Sequence, residues 1–424
     1  MMYLSHITWN LLGLVLPLLV AVITVPHLIQ KLGSERFGLL TLAWSLVGYA
    51  GVLDLGIGRA LTQMVARLRG EGNLASIPNV LATAGRITLI TGMTGGCLIL
   101  IVVLLGIDKY IKTQDIPSNE IRAAMVLIAA ALPAQAMSAT YKGVNEAYLN
   151  FRGISLLRVW MGVVNFGGPF LLAFYTTDMF WLVATLVGSR LMGLSFYYRF
   201  ANMCLKEIRT GRKRAVYSPQ IARTLFRFGG WVTVSSVVSP LLVQTDRFFI
   251  ASVISAAAVT VYVVPYEVVV QSLVIVGAVS SVIFPTLSSL IHQQPDKWQA
   301  FFRRWLRIVA GTMGLVCTLL AIFLPTILRL WLKGSFVPES AVIGRVLCLG
   351  VFANAIGSMY YALIHARGRT DLTAKLHLIE LPLFVLSLLV LLYNFGLVGA
   401  AWAWTGRMFF DGVSLVWYSR ERYA

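Results

Sequence analysis

Long apolar runs separated by short polar segments recur along the whole chain. About twelve can be distinguished, at residues 8–29, 37–57, 79–106, 122–146, 154–176, 179–200, 225–251, 259–290, 306–330, 341–365, 375–394 and 396–418. A run of about 20 apolar residues is long enough to cross a bilayer as a helix. The pattern therefore predicts an all-α polytopic membrane protein with about 12 transmembrane helices.

Composition supports this class and excludes others. Of 424 residues, 58% are hydrophobic and 12% are charged, which is too apolar for a soluble domain. The net charge of +18 is expected to mark cytoplasmic loops rather than a nucleic-acid partner. The four cysteines are scattered, so neither a disulfide framework nor a metal site is expected. The first run is interpreted as a retained helix rather than a cleavable signal.

Basic residues are distributed unevenly among the loops. They are dense after the even-numbered runs, above all between the sixth and seventh runs, and sparse after the odd-numbered ones. The positive-inside rule then predicts that both termini are cytoplasmic. We predict an N-terminal six-helix lobe (1–208), a basic cytoplasmic linker (209–224) and a C-terminal six-helix lobe (225–424). Transporters with two such lobes bind substrate at the interface between them.

Four arginines lie within the apolar runs: Arg86, Arg190, Arg247 and Arg407. An arginine at the centre of a membrane helix costs about 2.5–3.5 kcal/mol, so it usually faces protein or water. Because guanidinium groups bind phosphate oxygens bidentately, the arginines predict a cationic cavity for an anionic substrate. Alternatives remain: snorkelling for Arg86, a carboxylate partner on another helix for Arg190, and a local ion pair with Asp411 for Arg407.

Two further basic residues are candidate substrate ligands. His27 and Lys31 lie one helical turn apart at the outer end of the first run, where interfacial anchoring is the alternative. Asp54, at the inner end of the second run, is a candidate gating residue. It could instead pair with Arg59 or cap the following loop.

Acidic residues in or near the runs are candidates for coupling or gating. Asp246, Glu267 and Asp411 could bind a coupling cation, H+ or Na+. For Asp246 and Glu267 the alternative is a structural pair with Arg247, because buried charges usually occur in pairs.

Two segments carry a family resemblance. Residues 25–39 (VPHLIQKLGSERFGL) and 53–62 (LDLGIGRALT) resemble a first helical hairpin with an LG-x-x-x-FG turn and a DLG helix end. Residues 244–250 (QTDRFFI) resemble a D-R-F-x-I stretch in a seventh helix. These motifs resemble the polysaccharide transporter family of lipid-linked oligosaccharide (Wzx-type O-antigen) flippases. That family belongs to the multidrug/oligosaccharidyl-lipid/polysaccharide exporter superfamily.

The resemblance implies a function. Such proteins move an undecaprenyl-diphosphate-linked oligosaccharide, the O-antigen repeat unit or a similar glycan, from the inner to the outer leaflet by alternating access. It implies coupling to a gradient of H+ or Na+, no other cofactor, and a multi-pass location in the bacterial cytoplasmic (inner) membrane. The implied partners are the lipid-linked glycan, membrane lipid and polysaccharide assembly proteins such as a polymerase and a chain-length regulator.

Three other readings remain open. There is no HExxH, GxSxG, Walker loop or DxD pair, so a transporter is predicted rather than an enzyme. A multidrug/cation antiporter is disfavoured by the arginines, since cationic drugs need acidic cavities. A membrane polymerase or ligase of polysaccharide assembly should have large outer loops, and none is predicted. A purely structural membrane partner leaves the intramembrane charges unexplained.

Overall fold

The described part of the chain consists of helices joined by short turns and irregular segments. The computed structural model describes residues 2–49, 53–106, 111–148, 150–205, 215–293, 297–367 and 369–420. The helices within these residues are α1 (Met2–Tyr49), α2 (Ile57–Gly70), α3 (Ile77–Leu104), α4 (Ser118–Ala147), α5 (Phe151–Leu172), α6 (Met179–Cys204), α7 (Pro219–Val253), α8 (Ala256–Val270), α9 (Leu273–Gln293), α10 (Trp298–Leu332), α11 (Pro338–Ala366) and α12 (Thr370–Arg420). The predicted all-α class is confirmed.

Many of these helices can cross a membrane. Within the described residues, nine helical stretches are long and apolar enough to do so. Two of them, Leu16–Gly48 and Asp371–Ser419, are 33 and 49 residues long. The first includes parts of two predicted runs, and the second contains two predicted runs in full. The prediction of a polytopic membrane protein is therefore confirmed.

Each of these two long stretches is interrupted at a glycine. Gly33 has φ 77° and ψ 165°, and Gly396 has φ 59° and ψ −143°. A positive φ is accessible to glycine at little cost, so the chain can turn there without a loop. Along a straight helix, Glu380 and Arg407 would lie about 40 Å apart. Their charged groups are 3.9 Å apart, so α12 folds back on itself at Gly396.

The predicted run 259–290 is wrong as a single helix. Helix α8 ends at Val270 and α9 begins at Leu273. In the turn between them, the Ser272 amide and hydroxyl both donate to the carbonyl of Val269, at 3.2 and 2.7 Å. A serine hydroxyl that bonds to the backbone competes with the helical pattern, which accounts for a break inside an apolar sequence.

Helix α2 was not predicted. The second run was expected to continue to residue 57, but Leu55 and Gly56 have φ of 49° and 71° and turn the chain. The helix that follows buries Ile57, Leu61 and Val65. Residues spaced by four lie on one helical face, so α2 is amphipathic and packs through a single side.

The chain divides into two compact units, Met1–Pro240 and Leu241–Ala424. The predicted boundaries of the lobes and linker (1–208, 209–224 and 225–424) stay predictions, and linker residues 209–214 lie outside the described residues. In the first unit, α2, α3, α4 and the start of α7 share one hydrophobic core. In the second unit, Ile364 of α11 packs with Leu376 and Leu415 from the two arms of α12.

Helices α3 and α4 pack so closely that their backbones are in contact. A Cβ atom on Gly92 would lie 2.6 Å from Cα of Pro133, and one on Gly96 would lie 2.7 Å from the carbonyl oxygen of Ala129. Small residues allow such close approach between membrane helices. The contact therefore depends on the absence of side chains at these two positions.

Gly92→Ala should destabilise the protein by about 1–3 kcal/mol, because the new methyl group overpacks the interface. Gly85→Ala, on the same helix with nothing within 4 Å of its Cβ position, is the control. It should be neutral or slightly stabilising, since alanine favours helix. Thermal unfolding of both variants in detergent tests this, and equal melting temperatures would contradict the close contact.

Candidate functional site

Several charged side chains are buried in the second unit. Asp246, Arg247 and Glu380 are 0%, 8% and 1% exposed, and the side chain of Arg407 is 11% exposed. Charges removed from water are expensive unless they are paired and hydrogen-bonded. The partners of these residues therefore determine whether their burial is compensated.

Arg247 forms an ion pair with Glu267. Its Nη2 atom lies 2.6 Å from Oε1 of Glu267, whose side chain is 47% exposed. The guanidinium also lies over the ring of Tyr266, at 5.4 Å. The sequence left an ion pair and cation binding as alternatives for Glu267. The structure shows the ion pair, while a role of Glu267 in coupling stays a prediction.

Asp246 has neutral hydrogen-bond donors. The Tyr262 hydroxyl donates to Oδ2 at 2.8 Å, and the backbone N–H of Arg247 donates to Oδ1 at 2.8 Å. Tyr262 stacks on Tyr266 at 6.0 Å, and Tyr266 meets Trp404 edge-on at 5.5 Å. This aromatic series connects the carboxylate on α7, through α8, to α12.

Arg407 forms an ion pair with a residue that the sequence analysis did not select. Its Nε lies 3.9 Å from Oε2 of Glu380, and its Nη1 donates to the backbone carbonyl of Leu242. The guanidinium also lies 5.4 Å from the ring centroid of Phe384. Within the described residues, its ion pair is not with Asp411, so the local pair considered from the four-residue spacing is wrong. The partner lies on the other arm of α12.

Asp411 instead belongs to a cluster with Glu380 and His377. One potential ligand atom from each of the three residues lies within 4.8 Å of those from the other two. Nδ1 of His377 and both carboxylate oxygens of Glu380 are buried and have no hydrogen-bond partner among the described residues. A glutamate inside an apolar run is itself a signal of function, and that signal could have identified Glu380.

The arginines of the first unit have different environments. Arg190, near the middle of α6, is half-buried, and its Nε has no hydrogen-bond partner within the described ranges. In the part of the chain that the structure describes, no carboxylate forms an ion pair with it, so the expected alternative of a structural pair is not found there. Arg86 is exposed, with its guanidinium 5.8 Å from the ring centroid of Tyr217.

His27 and Lys31 both contact aromatic rings, one in the last turn of α5 and one just beyond its end. The His27 Nδ1 donates to the carbonyl of Ile23 at 2.8 Å, and its ring packs edge-on against Phe170 at 5.9 Å. The Lys31 ammonium lies 3.9 Å from the ring centroid of Phe174. Both side chains are exposed, so the contacts position their polar groups without burying them.

Asp54 caps the turn before α2. Its Oδ1 accepts the backbone N–H of Gly56 at 2.8 Å. This is the capping alternative, and a gating role for Asp54 stays a prediction. The sequence-selected residues therefore fall into two sets: Arg86, Arg190, His27, Lys31 and Asp54 in the first unit, and Asp246, Arg247, Glu267, Arg407 and Asp411 in the second.

Solved membrane transporters share the fold of this chain. A multidrug resistance transporter of the MATE family, solved in an inward-facing conformation, matches with a TM-score of 0.73 at 16% identity over 97% of each chain. A MATE transporter from Vibrio cholerae matches with a TM-score of 0.62 at 15% identity, over 99% of this chain and 98% of that one. At these identities the likeness concerns the fold alone.

The chain belongs to the polysaccharide biosynthesis protein family, which residues 3–291 match. It is also 28% identical to a Shigella flexneri protein named "Putative O-antigen transporter", over 99% of this chain and 98% of that one. The family resemblance recognised in the sequence is thereby confirmed. So are the transporter class in place of an enzyme and the multi-pass location in a bacterial inner membrane.

Tyr262→Phe should destabilise the protein by about 1.5–3 kcal/mol, because it removes a donor to a buried charged group. Tyr266→Phe is the matched control, since it keeps the ring contacts of Tyr266 and, within the described residues, removes no hydrogen bond. In denaturation experiments in detergent, the free energy of unfolding should be clearly lower for Tyr262→Phe than for Tyr266→Phe. Equal losses would mean that the hydroxyl does not support Asp246.

Proposed function

We propose that this protein is a flippase for an undecaprenyl-diphosphate-linked oligosaccharide, such as an O-antigen repeat unit. It moves this lipid from the inner to the outer leaflet by alternating access. Family membership and the full-length similarity to a relative named as an O-antigen transporter support the proposal. The structural observation that carries it is Arg190, a cation within a membrane helix that lacks a carboxylate partner among the described residues.

The chemistry of the head group explains why Arg190 matters. A diphosphate is anionic and cannot cross hydrocarbon without compensating charge. A guanidinium can hold two phosphate oxygens at once, and it remains charged. Arg407 is already committed to Glu380 and to the carbonyl of Leu242. Arg190 is therefore the better candidate ligand for the diphosphate.

His27 and Lys31 are proposed as a second point of contact. With both termini in the cytoplasm, as the loop charges predict, these residues face the outer side. Their contacts with Phe170 and Phe174 keep the two basic groups adjacent and exposed. They would bind the diphosphate as it reaches the outer leaflet. A polymerase and a chain-length regulator that act on the delivered glycan are the proposed protein partners.

A multidrug/cation antiporter is the second candidate. The likeness in fold to MATE-family transporters favours it, as do the buried acids Asp246 and Glu380. Both acids, however, lie next to a cation or hydrogen-bond donor of their own, and Arg190 adds a positive charge that would repel a cationic drug. The flippase proposal therefore explains more of the charged residues.

Arg190→Gln should lower flipping about 10–100-fold, the value of a lost hydrogen-bonded charge contact. Arg190→Lys should retain part of the activity, because it keeps the charge but loses the bidentate geometry. Arg199→Gln, an exposed position on the same helix, is the control and should transport normally. The assay is exposure of an undecaprenyl-diphosphate-linked glycan on the far leaflet of proteoliposomes.

Normal transport by Arg190→Gln would remove Arg190 from the substrate path. Wild-type vesicles that move a cationic dye but no lipid-linked glycan would favour the antiporter instead.

A further inference from the structure

Glu380 is a carboxylate without a donor. Its side chain is fully buried, and neither oxygen has a hydrogen-bond partner in the part of the chain that the structure describes. The Nε of Arg407, at 3.9 Å, is too far for a hydrogen bond and likewise has no hydrogen-bond partner there. An unsatisfied buried polar group costs about 1–3 kcal/mol, and more when it is charged. The arrangement is therefore incomplete as it stands.

Asp411 lies close enough to Glu380 for one proton, bound to either carboxylate, to supply the missing hydrogen bond. The Glu380 and Asp411 carboxyl groups are near enough to hydrogen-bond to each other, and their oxygens belong to the cluster spanning 4.8 Å. Two ionised carboxylates can only accept hydrogen bonds. A proton on either one turns it into the missing donor for the other, as in carboxylate pairs that share one proton.

The charge balance of the cluster also favours a bound proton. Within the described residues, Arg407 is the only cation that forms an ion pair with either acid, and its partner is Glu380. One positive and two negative charges leave a net charge of −1. One proton neutralises the cluster, whereas a divalent metal ion would leave a surplus charge beside Arg407 in an apolar interior. Na+ would need several oxygen ligands, and the third member, His377, offers an imidazole nitrogen suited to softer metals.

We propose that Glu380 and Asp411 form the site that carries the coupling proton. The inference rests on the proposed flippase activity and identifies which residues couple it to a proton gradient. Water on one side of the membrane supplies the proton to a carboxylate oxygen, and the same O–H bond breaks when the proton leaves to the other side. Because Arg407 also holds the carbonyl of Leu242, the charge on the pair acts where α12 meets α7.

Other titratable and charged groups face this site from the surrounding helices. Arg407 and His377 lie on α12 itself, and His365 lies on α11 near His377. Asp246 on α7 and Tyr266 on α8 interact electrostatically with Arg407. Substitutions at the two acids are therefore to be compared with an acid outside this set, and Glu339, exposed in the first turn of α11, provides one.

The first test is infrared spectroscopy of the purified protein at neutral pH. The wild type should show a protonated-carboxyl C=O band that is lost in Glu380→Gln and in Asp411→Asn. The band should persist in Glu339→Gln. Size-exclusion chromatography would establish that each variant is folded, and the second variant keeps the test valid if one fails. A band that survives both substitutions would overturn the proposal.

The second test is transport of the lipid-linked glycan in proteoliposomes with an imposed H+ or Na+ gradient. Glu380→Gln should retain gradient-independent exchange and lose the stimulation by the H+ gradient. Stimulation by Na+ alone, removed by Glu380→Gln, would overturn the assignment to a proton. If the wild type moves no glycan at all, the proposed function fails, and the infrared band still decides the proton site.

Discussion

An ionised arginine held inside an apolar interior is the interaction on which the second unit depends. Arg407 meets a carboxylate on the opposite arm of α12, a backbone carbonyl on α7 and the face of Phe384. Each of these contacts compensates part of a charge that hydrocarbon cannot solvate. Because these contacts lie on two other helical segments, α7 and the arm of α12 that precedes Gly396, the need to compensate one charge fixes how both segments are arranged around Arg407.

The two units manage polarity differently. In the second, cations and acids lie side by side, and most of the charge is compensated internally. In the first, the fully buried polar groups include a neutral amide: Asn145 donates to the carbonyls of Tyr141 and Tyr197 and accepts from Asn150. In the same unit, the Nε of Arg190 forms no hydrogen bond with any described residue and can still donate one. The difference is consistent with the two proposals, in which Arg190 of the first unit contacts the anionic substrate and Glu380 and Asp411 of the second unit carry the coupling proton.

The fold was more predictable than the site, for physical reasons. Hydrocarbon demands long apolar helices, so hydropathy placed most of them within a few residues, as for 341–365 against Pro338–Ala366. Helix α2 was missed because an amphipathic surface helix has no long apolar run. The partner of Arg407 was missed because it lies 27 residues away across a chain reversal, whereas sequence spacing suggests partners within one helical turn. Such pairings depend on tertiary packing, which periodicity does not encode.

The reversal at Gly396 leaves no loop between the two arms of α12. Ordinary connections tolerate insertions because they can bulge into solvent. Here the number of residues between Gly396 and each position fixes which side chains of the two arms face each other. One added residue would rotate the rest of the second arm by about 100° around the helix axis. Arg407 would then point away from Glu380. Related sequences should therefore differ along this hairpin by substitution and keep its length. The spacing between the positions of Glu380 and Arg407 should then be the same in all of them.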